Sequence, residues 1–488
     1  DNDELGKRKR KRGTRGGKKN KKKDLEMAST NKTANSDSNL LTMQNHTENE
    51  LDAYSDSAVV TINKKYDDEH ITEISNNLVI TDSILGFGSH GTIVFKGYFE
   101  NRPVAVKRML LEFYDVASLE IHLLQESDDH SNVIRYFCSQ EKNKFLYIAL
   151  ELCSASLGDI IENKKDIGVK SEDKEILYQI SNGVDHLHSL NIVHRDIKPQ
   201  NILVAVSKKN SKSASNDVRY LISDFGLCKK LDADQSSFKG TTANAAGTSG
   251  WRAPELLNDL SPAYMKQNVK NRVRLTKSVD IFSTGCVFFY VLTKGYHPFG
   301  DRYIREGNII KNEYDLSKLN QLKDSYLIKD LISSMIQKNP MIRPDIGTVM
   351  KHPFFWSAEK KLEFLLKVSD RFEVERRDPP SPLLLKLESI SKEVLGSDGW
   401  FVKFDDNFID NLGKYRKYNT HKLMDLLRAI RNKYHHYQDL PKDLAMEMGQ
   451  IPDDFYYYFS DKFPRMLLLV YKLVQKILHE DELLVQFF

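Results

Sequence analysis

Three side chains able to take part in phosphate chemistry lie within the short run 194–201 (HRDIKPQN). An aspartate can accept the proton of an attacking hydroxyl, a lysine can neutralise a transferred phosphate, and an asparagine can hold a metal ion. In this run the three roles fall to Asp196, Lys198 and Asn201. The spacing predicts a phosphoryl-transfer loop, which needs a glycine-rich loop and a strand lysine upstream and a metal-binding aspartate downstream.

A glycine-rich loop lies upstream, in residues 84–94 (ILGFGSHGTIV). It contains three glycines at G-x-G-x-x-G spacing and a following valine, namely Gly86, Gly88, Gly91 and Val94. Dinucleotide-binding folds share the glycine spacing, but their loop opens a helix. Here residues 78–80 and 93–95 have the composition of strands on both sides. We therefore predict a hairpin whose backbone amides approach nucleotide phosphates.

The strand lysine and a partner for it follow the glycine loop. Residues 104–107 (VAVK) are typical of a buried strand that ends in Lys107, although a surface lysine after a core strand would give the same pattern. Glu120 lies in a stretch with helical spacing, where its carboxylate can pair with Lys107 and orient it towards the phosphates. Further on, a predicted strand runs into a hinge, and the backbone groups of Glu151 to Cys153 are expected to face the nucleotide base.

The metal-binding aspartate is found in residues 221–226 (LISDFG). We predict Asp224 as the main Mg²⁺ ligand, with Asn201 as the second. A polar insertion, residues 207–217, separates this segment from the preceding strand and is expected to be a disordered loop. Every part that the phosphoryl-transfer loop requires is therefore present in the required order.

Residues 78–355 resemble eukaryotic protein kinases on the strength of these motifs. The resemblance implies a bilobal α+β kinase fold that binds ATP or ADP with Mg²⁺, the metal being needed at the kinase site only. It adds Val94 and Ala105 to the nucleotide-binding residues. It also assigns structural roles to three further residues: Asp280 is expected to organise the backbone of the phosphoryl-transfer loop, and Arg343 is expected to pair with Glu255.

A serine- and threonine-rich segment lies between Asp224 and Glu255 and offers candidate phosphorylation sites: Ser236, Ser237, Thr241 and Thr242, with Thr248 nearer its end. Arg195 provides a cation for a phosphate on this segment, so we expect autophosphorylation to order it. An ordinary flexible loop is the alternative. Since every phosphoryl-transfer residue is intact, we expect a competent kinase rather than an inactive scaffold.

The composition favours a protein of several domains in a reducing compartment. A chain of 488 residues exceeds one ordinary core, and 40% hydrophobic content is that of a globular protein. The cysteines lack C-x-x-C spacing, which argues against a zinc site or a disulfide framework. No run of about 18 apolar residues is present, so we expect no membrane span here. Because the chain starts at Asp1, we expect a fragment whose missing N-terminal part could carry a span or a targeting signal.

The formal net charge of +4 hides a strongly basic run, Lys7–Lys23. Residues 1–57 contain few large apolar side chains, so we predict that residues 1–75 form a disordered basic linker before a kinase domain at 76–356. The basic run is compatible with a solvated tail, with attraction to anionic lipid, or with RNA binding and nuclear import.

The chain continues well past residue 356, where a kinase domain should end. Residues 362–370 show helical apolar spacing with no Pro/Gly linker before them, so we predict an α-helical extension, 357–488, docked on the kinase. Asn432 and His436 are four residues apart in a predicted helix, with Arg431 adjacent. A histidine that exchanges a proton while Arg and Asn hold a phosphate could cleave a phosphodiester. A histidine that caps or packs the helix end is the alternative.

Residues 426–437 (LLRAIRNKYHHY), directly behind a kinase domain, resemble the kinase-extension nuclease of the inositol-requiring kinase/endoribonucleases of the endoplasmic-reticulum unfolded-protein response, most closely fungal ones, and more distantly RNase L. The resemblance makes His436 the general acid for the leaving 5′-hydroxyl and gives Tyr418 a part in activating the ribose 2′-hydroxyl. Arg431 and Asn432 would bind the scissile phosphate. Attack by the 2′-oxygen requires RNA, leaves a 2′,3′-cyclic phosphate and needs no metal.

The same resemblance implies a set of partners. RNA stem-loops would be the substrate, and autophosphorylation in trans with self-association into a homodimer or higher oligomer would activate their cleavage. The fragment would act on the cytosolic face of the endoplasmic-reticulum membrane, anchored by a missing span. Two alternatives stay open: a kinase whose extension is only a docking module, and a nucleotide-gated scaffold that binds RNA without cutting it.

Overall fold

The computed structural model describes residues 70–88, 91–207, 217–231, 238–239, 247–258, 274–413 and 417–488. These residues belong to one compact unit, Glu69–Phe488. The basic run, the insertion after Ser207 and the candidate sites Ser236, Ser237, Thr241 and Thr242 lie outside the described residues. Within the described ranges, no helix combines the length and the apolar character needed to cross a membrane.

The N-terminal lobe is built on an antiparallel sheet. Its strands are β1 (Ile71–Ser75), β2 (Leu78–Phe87), β3 (Ile93–Phe99), β4 (Arg102–Leu110), β5 (Tyr136–Lys142) and β6 (Phe145–Glu151). They lie in the order β1-β2-β3-β4-β6-β5 among the described residues. Val104 and Val106 of β4 are fully buried, as the two-residue period of a strand with a covered face requires. β1 begins before residue 76, the predicted start of the kinase domain.

The glycine-rich segment lies between β2 and β3, which pair antiparallel, so the predicted strand–loop–strand arrangement is confirmed. Gly91 has a φ of +74°, a conformation that side chains other than glycine rarely adopt. Helix α1 (Tyr114–Ser127) follows β4 along the chain and carries Glu120. Leu123 and Leu124 of this helix are buried. The sequence thus places Lys107 on a strand and Glu120 on a helix, as predicted.

The C-terminal lobe is mainly helical. Its strands are β7 (Ala155–Ser156), β8 (Ile192–Val193), β9 (Ile202–Ser207), β10 (Asp217–Ile222), β11 (Lys229–Lys230), β12 (Phe238–Lys239) and β13 (Arg274–Leu275). Its helices are α2 (Leu157–Ile161), α3 (Asp173–Ser189), α4 (Pro254–Asn258), α5 (Ser278–Leu292), α6 (Arg305–Lys311), α7 (Ser325–Met335) and α8 (Ile346–Lys351). Every residue of α5 after Ser278 is buried, because a helix that is apolar all round belongs in the interior.

A buried ion pair closes the C-terminal lobe. The Nη1 and Nη2 atoms of Arg343 donate to the two carboxylate oxygens of Glu255 at 2.6 and 2.8 Å. Arg343 also donates to the carbonyl oxygens of Ser278 and Gln337. These bonds tie α4, the start of α5 and the segment before α8 together, so the predicted pairing of Glu255 with Arg343 is confirmed.

Helices alone build the extension among its described residues. They are α9 (Ala358–Glu373), α10 (Pro382–Glu388), α11 (Ser391–Leu395), α12 (Asp406–Gly413), α13 (Leu423–His435), α14 (Lys442–Met448), α15 (Asp453–Lys462) and α16 (Met466–Leu478). The hydroxyl of Ser357 accepts the backbone N–H of Lys360, which caps α9 immediately after the kinase lobe. The apolar stripe of α13 is buried, and α13 packs mainly on α9.

The C-terminal lobe of the predicted kinase domain, called the kinase lobe below, shares one core with the extension. The indole of Trp356 contacts the rings of Phe364, Tyr471 and Phe487 at centroid distances of 5.5 to 5.6 Å. Lys361 of α9, fully buried, donates to the Asp324 carboxylate of the kinase lobe at 2.5 Å. The buried apolar residues of the two parts form a continuous cluster, which confirms that the extension docks directly on the kinase.

We expect Glu255→Ala to lower the free energy of unfolding by about 3–5 kcal/mol, because it leaves the buried Arg343 guanidinium without its carboxylate. The control is Lys294→Ala, which removes an exposed ion pair with Asp173 and should cost about 1 kcal/mol or less. Urea unfolding followed by circular dichroism measures both. Equal losses in the two variants would contradict the assigned role of the buried pair.

Candidate active sites

Lys107 lies at the centre of an ion-pair network between the two lobes. Its Nζ donates to Oε1 of Glu120 at 2.6 Å and to Oδ1 of Asp224 at 3.3 Å. Glu120 is 2% exposed, whereas the Asp224 side chain keeps 49% of its surface accessible. The buried carboxylate therefore fixes the lysine, and the exposed one faces the cleft.

The charges of this network are coupled. Burial alone would lower the pKa of the Lys107 ammonium, but the carboxylates of Glu120 and Asp224 outweigh it and raise that pKa above its ordinary value. Burial would raise the pKa of Asp224, and Lys107 instead holds it below the usual range. Both groups are thus charged at neutral pH, which keeps a cation and an anion ready for phosphate and metal.

The carboxylate of Asp196 is surrounded by donors from the predicted phosphoryl-transfer loop, residues 194–201, and from Thr248. Lys198 Nζ donates to Oδ2 at 2.6 Å, and Asn201 Nδ2 donates to the same oxygen at 2.9 Å. The backbone N–H and the hydroxyl of Thr248 donate to Oδ1 at 2.7 and 2.8 Å. Four donors therefore fix the orientation of the carboxylate that is predicted to accept the substrate proton.

Asp280 holds the backbone of this loop. Its Oδ2 accepts the backbone N–H of His194 and its Oδ1 that of Arg195, each at 2.8 Å. The ring of His188 lies 2.9 Å from Oδ2. Although burial would raise the pKa of Asp280, these donors lower it. The ionised carboxylate supports a left-handed turn at Arg195, whose φ is +70°.

The residues predicted to hold Mg²⁺ fit that role. Asp224 presents a partly exposed carboxylate, and Asn201 donates through its amide nitrogen, which leaves the amide oxygen as a ligand atom. The backbone N–H of Ser223 donates to the carbonyl of Asn201 at 2.9 Å, so the two ligand residues lie on adjacent segments. Carboxylate and amide oxygens suit a small, hard cation that also takes phosphate oxygens.

The residues predicted to bind nucleotide lie in the sheet that carries Lys107. Gly86, Gly88, Val94 and Ala105 lie on or beside strands β2 to β4, and Ala105 pairs with Leu150 of β6 across the sheet. Glu151 ends β6, and its side chain forms an ion pair with Arg219. Burial, with the neighbouring Glu151 carboxylate, raises the pKa of the Cys153 thiol to about 12, so this cysteine stays protonated at neutral pH.

A second candidate site lies on the extension. Asn432 Nδ2 donates to the phenol oxygen of Tyr418 at 2.9 Å, which brings two of the predicted nuclease residues into contact. Tyr418 is held by a loop whose Asn419 donates its backbone N–H to Asp425 at 2.7 Å and accepts the indole N–H of Trp400 at 3.1 Å. The contact therefore joins this loop to α13.

Arg431 and His436 are less closely joined to that pair. Arg431 Nη1 donates to Asp370 of α9 at 3.1 Å. His436 follows the last residue of α13, and its side chain is 72% exposed. Among the described residues, its ring contacts Asp439, with Nδ1 at 3.3 Å from the carboxylate, rather than Tyr418, Arg431 or Asn432. A bound phosphodiester would have to bridge the histidine and the other three side chains.

Two features of the sites were missed from the sequence. The sequence indicates Thr248 only as part of the candidate phosphorylation segment, yet its hydroxyl donates a hydrogen bond to Asp196. Asp370 and Glu373 of α9 were assigned no role, yet both face the arginines of α13. An S-D-x-x-E run on a helix beside an arginine-rich helix is the only sequence signal for the second feature.

Comparison with known proteins defines the class. The profile of the protein kinase domain matches residues 79–355, more than half of the chain. The chain therefore belongs to the protein kinase family. A second profile, ribonuclease 2-5A, matches residues 361–488 and so covers Tyr418, Arg431, Asn432 and His436.

Individual relatives contain both parts. The chain is 51% identical to the "Sensor for unfolded proteins in the ER ire1" of Schizosaccharomyces pombe, over 83% of this chain and 38% of the relative. It is 50% identical to the serine/threonine-protein kinase/endoribonuclease IRE1 of Hypocrea jecorina, over 83% and 34%. It is 42% identical to the kinase/endoribonuclease IRE2 of Homo sapiens, over 85% and 43%. The chain spans less than half the length of each, and the predicted resemblance is confirmed.

We expect Glu120→Gln to slow phosphoryl transfer by about 10- to 100-fold, because Lys107 loses its buried anionic partner and shifts from the phosphates. Initial rates of autophosphorylation with labelled ATP measure the effect. Glu126→Gln is the matched control, since Glu126 lies on the same helix but pairs with Lys230 outside the network. A rate for Glu120→Gln equal to that of the control would contradict the assignment.

Proposed function

We propose that this chain is a bifunctional serine/threonine protein kinase and endoribonuclease, with residues 76–356 as the kinase domain and 357–488 as the nuclease domain. The observation that carries the proposal is the presence, in one compact unit, of two separate sets of side chains with different chemistry. One set surrounds Asp196 and Lys107, and the other joins Tyr418 to Asn432 beside Arg431. The names of the relatives combine the same two activities.

In the kinase reaction, Asp196 accepts the proton of a serine or threonine hydroxyl as its oxygen forms a bond to the γ-phosphorus of ATP. The bond from that phosphorus to the β–γ bridging oxygen breaks, and ADP leaves. Lys198, held at 2.6 Å from Asp196, neutralises charge on the transferred group. Lys107 binds the phosphates under the control of Glu120. Asn201 and Asp224 would hold Mg²⁺, which supplies charge neutralisation when bound.

In the nuclease reaction, the ribose 2′-oxygen forms a bond to the adjacent phosphorus while the bond to the 5′-oxygen breaks. Tyr418, whose phenol oxygen accepts from Asn432, assists loss of the 2′-proton to solvent. Arg431 and Asn432 bind the phosphate, and protonated His436 gives its proton to the leaving 5′-oxygen. The products are a 2′,3′-cyclic phosphate and a 5′-hydroxyl. This cleavage reaction takes no atom from a metal ion or from ATP.

The regulation follows the same proposal. ATP-dependent autophosphorylation and self-association into a homodimer or higher oligomer activate cleavage of messenger-RNA stem-loops, in response to unfolded protein in the endoplasmic reticulum. The protein acts at the cytosolic face of that membrane. The direct contact of α9 with the kinase lobe, through Lys361 and Asp324, supports coupling between the two domains.

Two single substitutions should separate the activities. We expect Asp196→Asn to reduce phosphoryl transfer by at least about 100-fold, while His436→Ala reduces RNA cleavage by about 10²- to 10⁴-fold, since each removes a proton-transfer group. Autophosphorylation with labelled ATP and cleavage of a labelled RNA stem-loop in EDTA with ADP are measured for both. His479→Ala, an exposed histidine at the end of α16, is the control and should leave both activities unchanged.

Other outcomes decide between the alternatives. RNA that stays whole with every protein, although kinase activity is present, would favour a kinase with a docking extension. RNA that binds the parent protein without being cut would favour a scaffold. Cleavage by His436→Ala at the parent rate would remove that residue from the mechanism.

Autophosphorylation should be found in the serine- and threonine-rich segment between Asp224 and Glu255. After incubation with Mg-ATP, we expect mass spectrometry to detect phosphate on one or more of four residues: Ser236, Ser237, Thr241 and Thr242. The Asp196→Asn protein, treated in parallel, should carry none. An unmodified segment in an active parent protein would contradict this prediction.

A further inference from the structure

One carboxylate of α9 attracts three arginines. Oε2 of Glu373 lies 3.0 Å from Nη2 of Arg377, 3.0 Å from Nε of Arg428 and 3.7 Å from Nη2 of Arg431. The Nε–H of Arg428 is not aligned for a hydrogen bond, so that contact is an ion pair. Arg377 follows Glu373 by four residues in the chain, whereas Arg428 and Arg431 belong to α13. Glu373 therefore fixes two side chains of the helix that carries the candidate nuclease residues.

Both of these arginines lead to the nuclease residues. The guanidinium of Arg428 lies over the ring of Tyr418, 5.8 Å from its centroid, and its Nη1 donates to Asp425 at 3.3 Å. The same Asp425 accepts from the backbone of Asn419, next to Tyr418. Arg431 is the predicted phosphate ligand and precedes Asn432, which donates to Tyr418. Glu373 thus contacts Arg431 directly and reaches Tyr418 through Arg428.

Glu373 provides a negative charge where the positive charges of Arg428 and Arg431 lie close together. Arg428 and Arg431 are 10% and 13% exposed, so solvent screens their mutual repulsion weakly. Asp425 and Asp370 each pair with one of them, and Glu373 pairs with both. Without the shared anion, the two guanidinium groups would move apart, and the ring of Tyr418 would lose its cation.

We propose that Glu373 is a positioning residue for RNA cleavage, which acts through Arg428 on Tyr418 and through Arg431 on the scissile phosphate. It does not touch the reacting atoms. The proposal rests on the nuclease activity proposed above. It assigns to α9, the helix that begins at the kinase lobe, a direct part in the geometry of the nuclease site.

A second acidic residue of the same segment provides the control. Glu375 pairs with Arg371 at 2.8 Å and accepts from the hydroxyl of Ser381 at 2.6 Å. Arg371 in turn pairs with Asp481 near the C-terminus. These contacts stabilise the fold without reaching α13. Glu375→Gln therefore removes the same charge as Glu373→Gln but should leave the nuclease site in place.

The experiment measures single-turnover cleavage of an RNA stem-loop in EDTA, with ADP and a range of protein concentrations. We expect Glu373→Gln to reduce the rate at saturation by about 10- to 100-fold, as misplaced catalytic groups do. The protein concentration for half-saturation should stay equal or fall, because removal of a negative charge favours RNA binding. Glu375→Gln should cleave within about twofold of the parent protein.

Each other outcome has one meaning. Equal rates for Glu373→Gln and Glu375→Gln, or a loss confined to the half-saturation concentration, would overturn the positioning role while the parent still cleaves. A parent protein that does not cleave would instead remove the proposed nuclease function and this inference with it. If Glu373→Gln melts at a lower temperature than Glu375→Gln, Glu373→Asp decides. That variant keeps the charge but withdraws the carboxylate, so it must cleave more slowly than Glu375→Asp.

Discussion

The packing of Trp356 against Phe364, Tyr471 and Phe487 is the contact on which the arrangement of the two candidate sites depends. It joins the end of the kinase lobe to the first and last long helices of the extension, so the two parts share a core rather than a linker. α9 begins beside this contact and ends at Glu373, against the arginines of α13. One continuous helix therefore connects the kinase lobe to the nuclease site.

In both candidate sites, a cation proposed to bind phosphate is paired with carboxylates. Lys107 is held by Glu120 and Asp224, and Arg431 is held by Asp370 and Glu373. A cation fixed in advance needs little reorganisation when charge develops on a phosphate. The sites differ in the surroundings of the residues proposed to transfer protons: Asp196 lies buried among four donors, whereas His436 is exposed.

Short-range motifs allowed most of the kinase site to be predicted from the sequence. The strand–loop–strand position of the glycines and the Lys107–Glu120 pair follow from fixed spacings, and the resemblance to protein kinases implied the structural role of Asp280. The contact of Thr248 with Asp196 could not be predicted in this way, because Thr248 belongs to no motif at a fixed spacing from residues 194–201 and reaches them only through the folded chain. Arg428 is charged, yet it is buried in the structure, since Glu373 and Asp425 pair with it. Such pairings between helices leave no periodic signal in one sequence.

Cleavage of an RNA stem-loop with a single 2′-deoxy substitution at the scissile nucleotide tests the central claim most directly. The account predicts that the parent protein in EDTA cuts the all-ribose stem-loop to a 2′,3′-cyclic phosphate end and leaves the substituted one whole, since the attacking oxygen is absent. Chromatography against a chemically made cyclic-phosphate standard identifies the end. Cleavage of the substituted RNA, or an all-ribose stem-loop that stays intact, would contradict the account.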